Sequence, residues 1–300
     1  MKNLITYINE ALKLGKLRYK YHPKTKEELK DIIFERIEKE GNELNLNDID
    51  VSNITDMSEL FYELYYFNGD ISKWDVSNVT DMYCMFYGCN KFNKSISAWN
   101  VSKVNNMRSM FFGCESFNQN ISSWDVSSVT NMKSMFYGCT NFNKNISNWD
   151  VSNVTNMHTM FYGDKKFNKD ISNWNVSNVT DMSGLFFDCE SFNKDISKWD
   201  VSSVKDMKCM FFMCSNFNQD ISKWDVSTVT NMCAMFQECK LFDQDISKWN
   251  VSNVHNMKSM FLKCESFNQD ISKWNVSKVN NKDSMFDGCI IEEKYKPKFK

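Results

Sequence analysis

Residues 96–120 read ISAWNVSKVNNMRSMFFGCESFNQN. Apolar side chains fall at Ile96, Trp99, Val101, Val104, Met107, Met110, Phe111, Cys114 and Phe117, and their spacing changes partway along. Trp99 and Val101 alternate with Ala98, Asn100 and Ser102, the period of two expected of a strand with one buried face. Met107, Met110, Phe111 and Cys114 then fall at i, i+3, i+4 and i+7, the apolar stripe of a short helix. The spacing therefore predicts a strand followed by a helical segment. Thr55, Thr80, Thr130, Thr155, Thr180 and Thr230 stand two residues before the first Met, each followed by Asp or Asn, as N-caps would. Gly88, Gly113, Gly138, Gly163 and Gly288 precede the Cys position, where a left-handed residue can end a helix.

The same pattern returns along the chain. Val-Ser pairs begin at Val51, Val76, Val101, Val126, Val151, Val176, Val201, Val226, Val251 and Val276, with no insertion or deletion between copies. A fixed period in this range marks a stacked array, because a single copy buries too little apolar surface to fold and needs neighbours above and below. At about 4.8 Å per stacked strand, ten copies would span roughly 50 Å. The end copies degrade: Leu46, Ile49 and Leu64 replace Ile, Trp and Cys in the first, and Lys282 and Asp287 replace Met and an aromatic residue in the last. Ahead of the array, Leu4, Ile5, Ile8 and Leu12 form one helical stripe. Leu29, Ile32, Ile33 and Ile37 form another, opened by the capping-box pair Thr25 and Glu28 and closed by Gly41. The expected organisation is a helical hairpin cap over residues 1–43, about ten repeats over 44–290, and a short basic tail over 291–300 that frays.

The order I-x-x-W-x-V-S-x-x-V-x-x-M-x-x-M-F-x-x-C-x-x-F, running over about residues 44–290, resembles the BspA-like leucine-rich repeat, in which an L-x-x-I-x-I strand leads to an A-F-x-x-C helical segment. It departs from that pattern in its Trp and Met, in lacking Pro after the strand, and in two extra residues around the Phe-Asn pair. The resemblance implies an α/β fold: a leucine-rich-repeat-like, right-handed solenoid of short parallel strands and short helical segments with an N-terminal helical cap. It also implies a non-enzymatic scaffold for protein–protein interaction, associated with surface adhesion and host-protein binding.

Composition narrows the function classes. Formal net charge is −2 and neither half is polarised, so the basic footprint of a nucleic-acid binder is missing. The N-terminal MKNLITYINEALKLGKLRYK has no secretory apolar core, and no apolar run reaches membrane-spanning length. The expectation is cytoplasmic at synthesis, without membrane insertion, while the resemblance adds surface or virion association. Eleven cysteines are present, eight of them in one column (Cys89, Cys114, Cys139, Cys189, Cys214, Cys239, Cys264 and Cys289) that Asp164 interrupts. Without a signal segment, and at a spacing unlike that of metal ligands, they read as reduced core thiols. The histidines His22, His158 and His255 are unrelated in position, and no phosphate-cradling loop or nucleophile elbow occurs. The chain reads as no enzyme, with no metal and no cofactor.

Three columns decide between core and surface. The tryptophans, one per turn from Trp74 to Trp274, share strand phase with Val and read as a core ladder, with an exposed carbohydrate-stacking platform as the rival. The Asn residues after Phe, from Asn68 to Asn268, read as a ladder satisfying loop backbone groups. Calcium binding through that column with Asp170, Asp195, Asp220, Asp245 and Asp270 is disfavoured, because calcium needs six to eight converging oxygens. Two surfaces remain as binding candidates. One is the polar row on an expected concave sheet: Lys73, Asp75, Lys198, Asp200, Lys223, Asp225, Lys248, Asn250 and Lys273. The other is an aromatic stripe beside the helix: Tyr87, Phe112, Tyr137, Tyr162, Phe187 and Phe212, with Tyr62 ahead of it. A protein partner is expected, with a glycan as the alternative ligand; a structural or assembly spacer and an intracellular effector are the alternative roles.

Overall fold

In the computed structural model, which describes residues 19–299, each 25-residue period closes one turn of a stack. Isolated parallel bridges tie Asp56 to Asp81, Asp81 to Asn106, and so on through Asn256 to Asn281, always one period apart. The register is set by backbone: the Asn105 N–H donates back to the Thr80 carbonyl at 2.9 Å, while the Phe111 N–H donates forward to the Met135 carbonyl at 2.9 Å.

The expected α/β solenoid of strands and helical segments does not form. Among the described residues there is one α-helix, α1 (Lys26–Glu40), and one 3-10 turn (Glu293–Tyr295), and the turns meet through isolated bridges instead of a sheet. At the expected strand, the Trp99 N–H bonds to the Ile96 carbonyl at 3.2 Å and the Val104 N–H to the Val101 carbonyl at 2.9 Å. The backbone thus bends on both sides of Val101, and Asn100 Oδ1 tightens the corner by accepting from the Ser102 N–H at 3.1 Å. The period of two reports inward and outward positions on a tight coil.

The expected helix fails for a related reason. The N–H groups of Met107, Ser109, Phe111 and Gly113 donate to Asn131, Lys133, Met135 and Tyr137 in the next turn, at 3.2, 2.9, 2.9 and 2.6 Å. The N–H groups between them, on Met110, Phe112 and Cys114, close i−3 bonds to Met107, Ser109 and Phe111. Every amide is satisfied without i−4 bonds, and a two-turn helix has little cooperativity with which to compete. Ser109 (φ 54°) and Gly113 (φ 71°) are both left-handed, so the helical path is broken four residues before the expected C-cap. Nor do the threonines cap: Thr80 Oγ1 donates to the Thr55 carbonyl one turn back, at 3.2 Å.

The interior is a set of aromatic and aliphatic columns. Phe86 stacks on Phe111 at a centroid distance of 5.5 Å and on Phe92 of its own turn at 4.2 Å, and Trp99 stacks on Trp124 at 6.4 Å. The tryptophans are 3–5% exposed, and each indole N–H reaches a backbone carbonyl 28 residues back, as Trp149 reaches Ile121 at 3.1 Å. The Asn column runs as a ladder in which the Asn118 N–H donates to Asn93 Oδ1 at 3.0 Å and the Asn143 N–H to Asn118 Oδ1 at 3.1 Å.

Helix α1 lies over the first turn, burying Leu29 and Ile33, with Thr25 Oγ1 accepting from the Glu28 N–H at 3.2 Å. Arg36 fastens it, donating to Asp48 at 3.0 Å and to the Asn45 carbonyl at 2.9 Å while pairing with Glu40. The other half of the expected hairpin, Leu4 to Leu12, lies outside the described residues. Residues 291–299 of the tail fold back on the last turns: Ile291 and Pro297 are buried, and the Ile271 N–H bonds to the Tyr295 carbonyl at 3.0 Å.

Candidate functional site

The polar row stands on consecutive bends, not on a concave sheet. In the segment S-K-W-D-V the Trp and Val turn inward, which directs the residues on either side of Trp outward. Lys73, Lys198, Lys223, Lys248 and Lys273 are exposed, as are Asp75, Asp200, Asp225 and Asn250. The acidic and amide members are half engaged, since Asp225 Oδ1 accepts from the Ser227 N–H at 3.0 Å and Asn250 Oδ1 from the Ser252 N–H at 3.2 Å. Asp220, Asp245 and Asp270 share the same loops, and hydrogen bonds from Ser222, Ser247 and Ser272 hold their carboxyls below the usual range. The strip is therefore charged with both signs. Among the described residues no group of three or more His, Cys, Asp or Glu is placed to hold a metal ion.

The aromatic stripe is a single ladder of half-exposed rings. Tyr62, Tyr87, Phe112, Tyr137, Tyr162, Phe187 and Phe212 stack in succession with centroids 4.8, 4.4, 4.3, 4.3, 4.1 and 4.3 Å apart. That spacing is tighter than in the core columns and close to the separation of hydrogen-bonded backbones. Ring planes lie within 16° of parallel, so each interior ring has both faces covered by its neighbours and offers solvent only its edge. Burial, with Tyr137 alongside, pushes the Tyr162 hydroxyl up to about 12. The stripe ends where Gln237, Leu262 and Asp287 replace the rings.

The cysteine column lies in the core. Cys114 and Cys139 each point Sγ at a carbonyl 28 residues back, 3.0 Å from Phe86 and Phe111 respectively, and burial pushes both thiols well up. Asp164 takes the same place with no exposure, and neither of its carboxyl oxygens has a hydrogen-bond partner. Desolvation pushes this carboxyl well above the usual range.

One cluster escapes a reading along the chain. His158 Nδ1 lies 2.6 Å from Ser183 Oγ, which donates to Asp181 Oδ1 at 2.5 Å. The only signal for it is that His158 and Ser183 are one period apart. Asp181 accepts from the serine hydroxyl and stands 3.9 Å from the imidazole Nδ1, on the same ring nitrogen that meets the serine, so the trio lacks the order in which an acid orients a base against a nucleophile. Burial lowers the His158 pKa, against the pull of Asp181. His22 sits elsewhere, 3.3 Å from Asp50 beside the first turn.

No curated protein matches the sequence. The pattern of one family matches three overlapping windows, residues 29–147, 111–222 and 186–294, which together take in most of α1 and the repeats. The chain therefore belongs to the family described as Mycoplasma protein of unknown function, DUF285.

Proposed function

We propose that the chain is a non-enzymatic repeat scaffold that binds a protein partner along the aromatic ladder, with the mixed-charge row as a second candidate surface. The observation that carries this reading is the row of stacked, half-exposed rings on a chain whose other large aromatic columns are buried. Such a strip is already ordered, so a partner loses little side-chain entropy against it, and aromatic side chains dominate the energetics of contact surfaces. The covered ring faces favour a protein over a glycan, because sugars stack on faces and this ladder presents edges. The BspA-like resemblance supports adhesion to host-surface proteins as the setting. An assembly spacer is the second reading, favoured by the unbroken stack between α1 and the folded-back tail.

The test compares capture of host-cell surface proteins by the intact chain with that by two triple variants. One carries Tyr137→Ser, Tyr162→Ser and Phe187→Ser; the other carries Lys198→Ala, Lys223→Ala and Lys248→Ala. Loss of captured species with the first triple, while far-UV spectra and unfolding remain cooperative, is the expected result. Unchanged capture by both folded triples would eliminate the two side surfaces and leave the spacer reading.

A further inference from the structure

The last turn keeps the conformation of an interior turn, and no turn stacks beyond it among the described residues. Its i−3 bonds persist, from the Met285 N–H to Lys282 at 3.1 Å and from the Cys289 N–H to Phe286 at 3.0 Å. Its two left-handed residues persist as well, Ser284 at φ 53° and Gly288 at φ 69°. In each preceding turn four alternate N–H groups donate forward; in the turn before the last these belong to Met257, Ser259, Phe261 and Lys263, at 2.7–2.9 Å. Their counterparts, the N–H groups of Lys282, Ser284, Phe286 and Gly288, have no acceptor among the described residues. Lys282, Ser284 and Gly288 are exposed. An open cleft of about 670 Å3 lies over this edge, between residues 282–287 and the folded-back tail, with the Lys282 ammonium over the Phe299 ring at 4.5 Å on one side.

We propose that this edge is a docking site for one further turn, supplied by another polypeptide. Four donors spaced two residues apart require carbonyls at the same spacing, as in strand addition to a sheet edge. A regular β-strand would not follow the row, because the row itself bends through Ser284 and Gly288. The occupant that fits carries this chain's own Met-x-x-Met-Phe-x-Gly pattern, the sequence that meets the same donors in the interior turns. The donor row is already ordered, which lowers the cost of adding to it. A second intact copy offers no such segment: its interior turns are engaged on both sides, and its first turn lies under α1, with Leu60 and Phe61 fully buried.

Amide hydrogen exchange on the full chain tests this with a synthetic peptide of residues 131–138, whose carbonyls at Asn131, Lys133, Met135 and Tyr137 meet such a row inside the stack. In the free chain the amides of Lys282, Ser284, Phe286 and Gly288 should exchange at least about tenfold faster than those of Met257, Ser259, Phe261 and Lys263. Saturating peptide should slow the four selectively. Protection of the four without peptide at low protein concentration would overturn the proposal by showing that the chain covers its own edge. Protection that grows with protein concentration alone would assign the edge to a second copy instead. Unchanged fast exchange at millimolar peptide would also overturn it.

Discussion

Asp164 shows what one residue does to a column. Seven turns place a cysteine at this position with Sγ 2.8–3.0 Å from a carbonyl 28 residues back. Asp164 brings a carboxyl into the same dry site without a hydrogen-bond partner. Asp164→Cys should stabilise the chain by about 2 kcal/mol near pH 4, read from the urea midpoint, because an unsatisfied buried polar group costs about 1–3 kcal/mol. The pH dependence has a definite sign. The folded pKa is raised by desolvation, so the folded chain holds this proton more tightly than the unfolded one. The contribution is fully present below the unfolded value of about 3.9 and is lost as pH rises towards the folded pKa, at up to about 1.4 kcal/mol per unit. The difference between the two chains should widen from pH 4 upward; parallel profiles would mean that the carboxyl reaches water. Asp220, Asp245 and Asp270 act oppositely, since their lowered pKa values give stability that is lost as pH falls through the acid range.

At the scale of elements, α1 and the repeat segment answer differently to the same kind of reading. The capping pair Thr25 and Glu28, the stripe through Leu29 and Ile33, and Gly41 were legible along the chain, because helix α1 satisfies its own backbone. The Met-x-x-Met-Phe-x-x-Cys segment shows equally good helical spacing, yet its alternate amides are satisfied 24 residues further on and those between them by i−3 bonds. Consecutive i−3 bends and a helix place apolar residues at the same intervals, so periodicity cannot separate them. Holding α1 in place falls largely to Arg36, 9% exposed and joined to Asp48, Glu40 and the Asn45 carbonyl. Arg36→Met should therefore cost about 1 kcal/mol, because Glu40 and Asp48 are half-exposed and water screens the pairs. Exchange in residues 44–60 should accelerate with it; a change confined to α1 would mean that the helix does not cap the first turn.

At the scale of the molecule, each turn contacts only its neighbours, so whole periods are the units of stability. Deleting residues 126–150 joins Asp125 to Val151 and restores every column in register. The shortened chain should unfold cooperatively, with a urea m-value lower by about a tenth. Deleting residues 126–137 alone should abolish cooperative unfolding, because Trp, Phe and Cys columns would meet the wrong partners. Cooperative unfolding of both deletions would show that register does not hold the stack together.

The sequence by itself determined the period, the inward columns of Ile, Trp, Val, Met, Phe and Cys, the Asn ladder and the helical segment before the first turn. These follow from local pattern and from burial, which a repeating chain states many times over. Only the tertiary structure decided that the turns contain neither strands nor helices, because backbone amides can be satisfied within a segment or across the stack, and composition is silent on which. It also brought His158 to Ser183, covered the ring faces of the exposed ladder, and left four amides at Lys282, Ser284, Phe286 and Gly288 without an acceptor among the described residues.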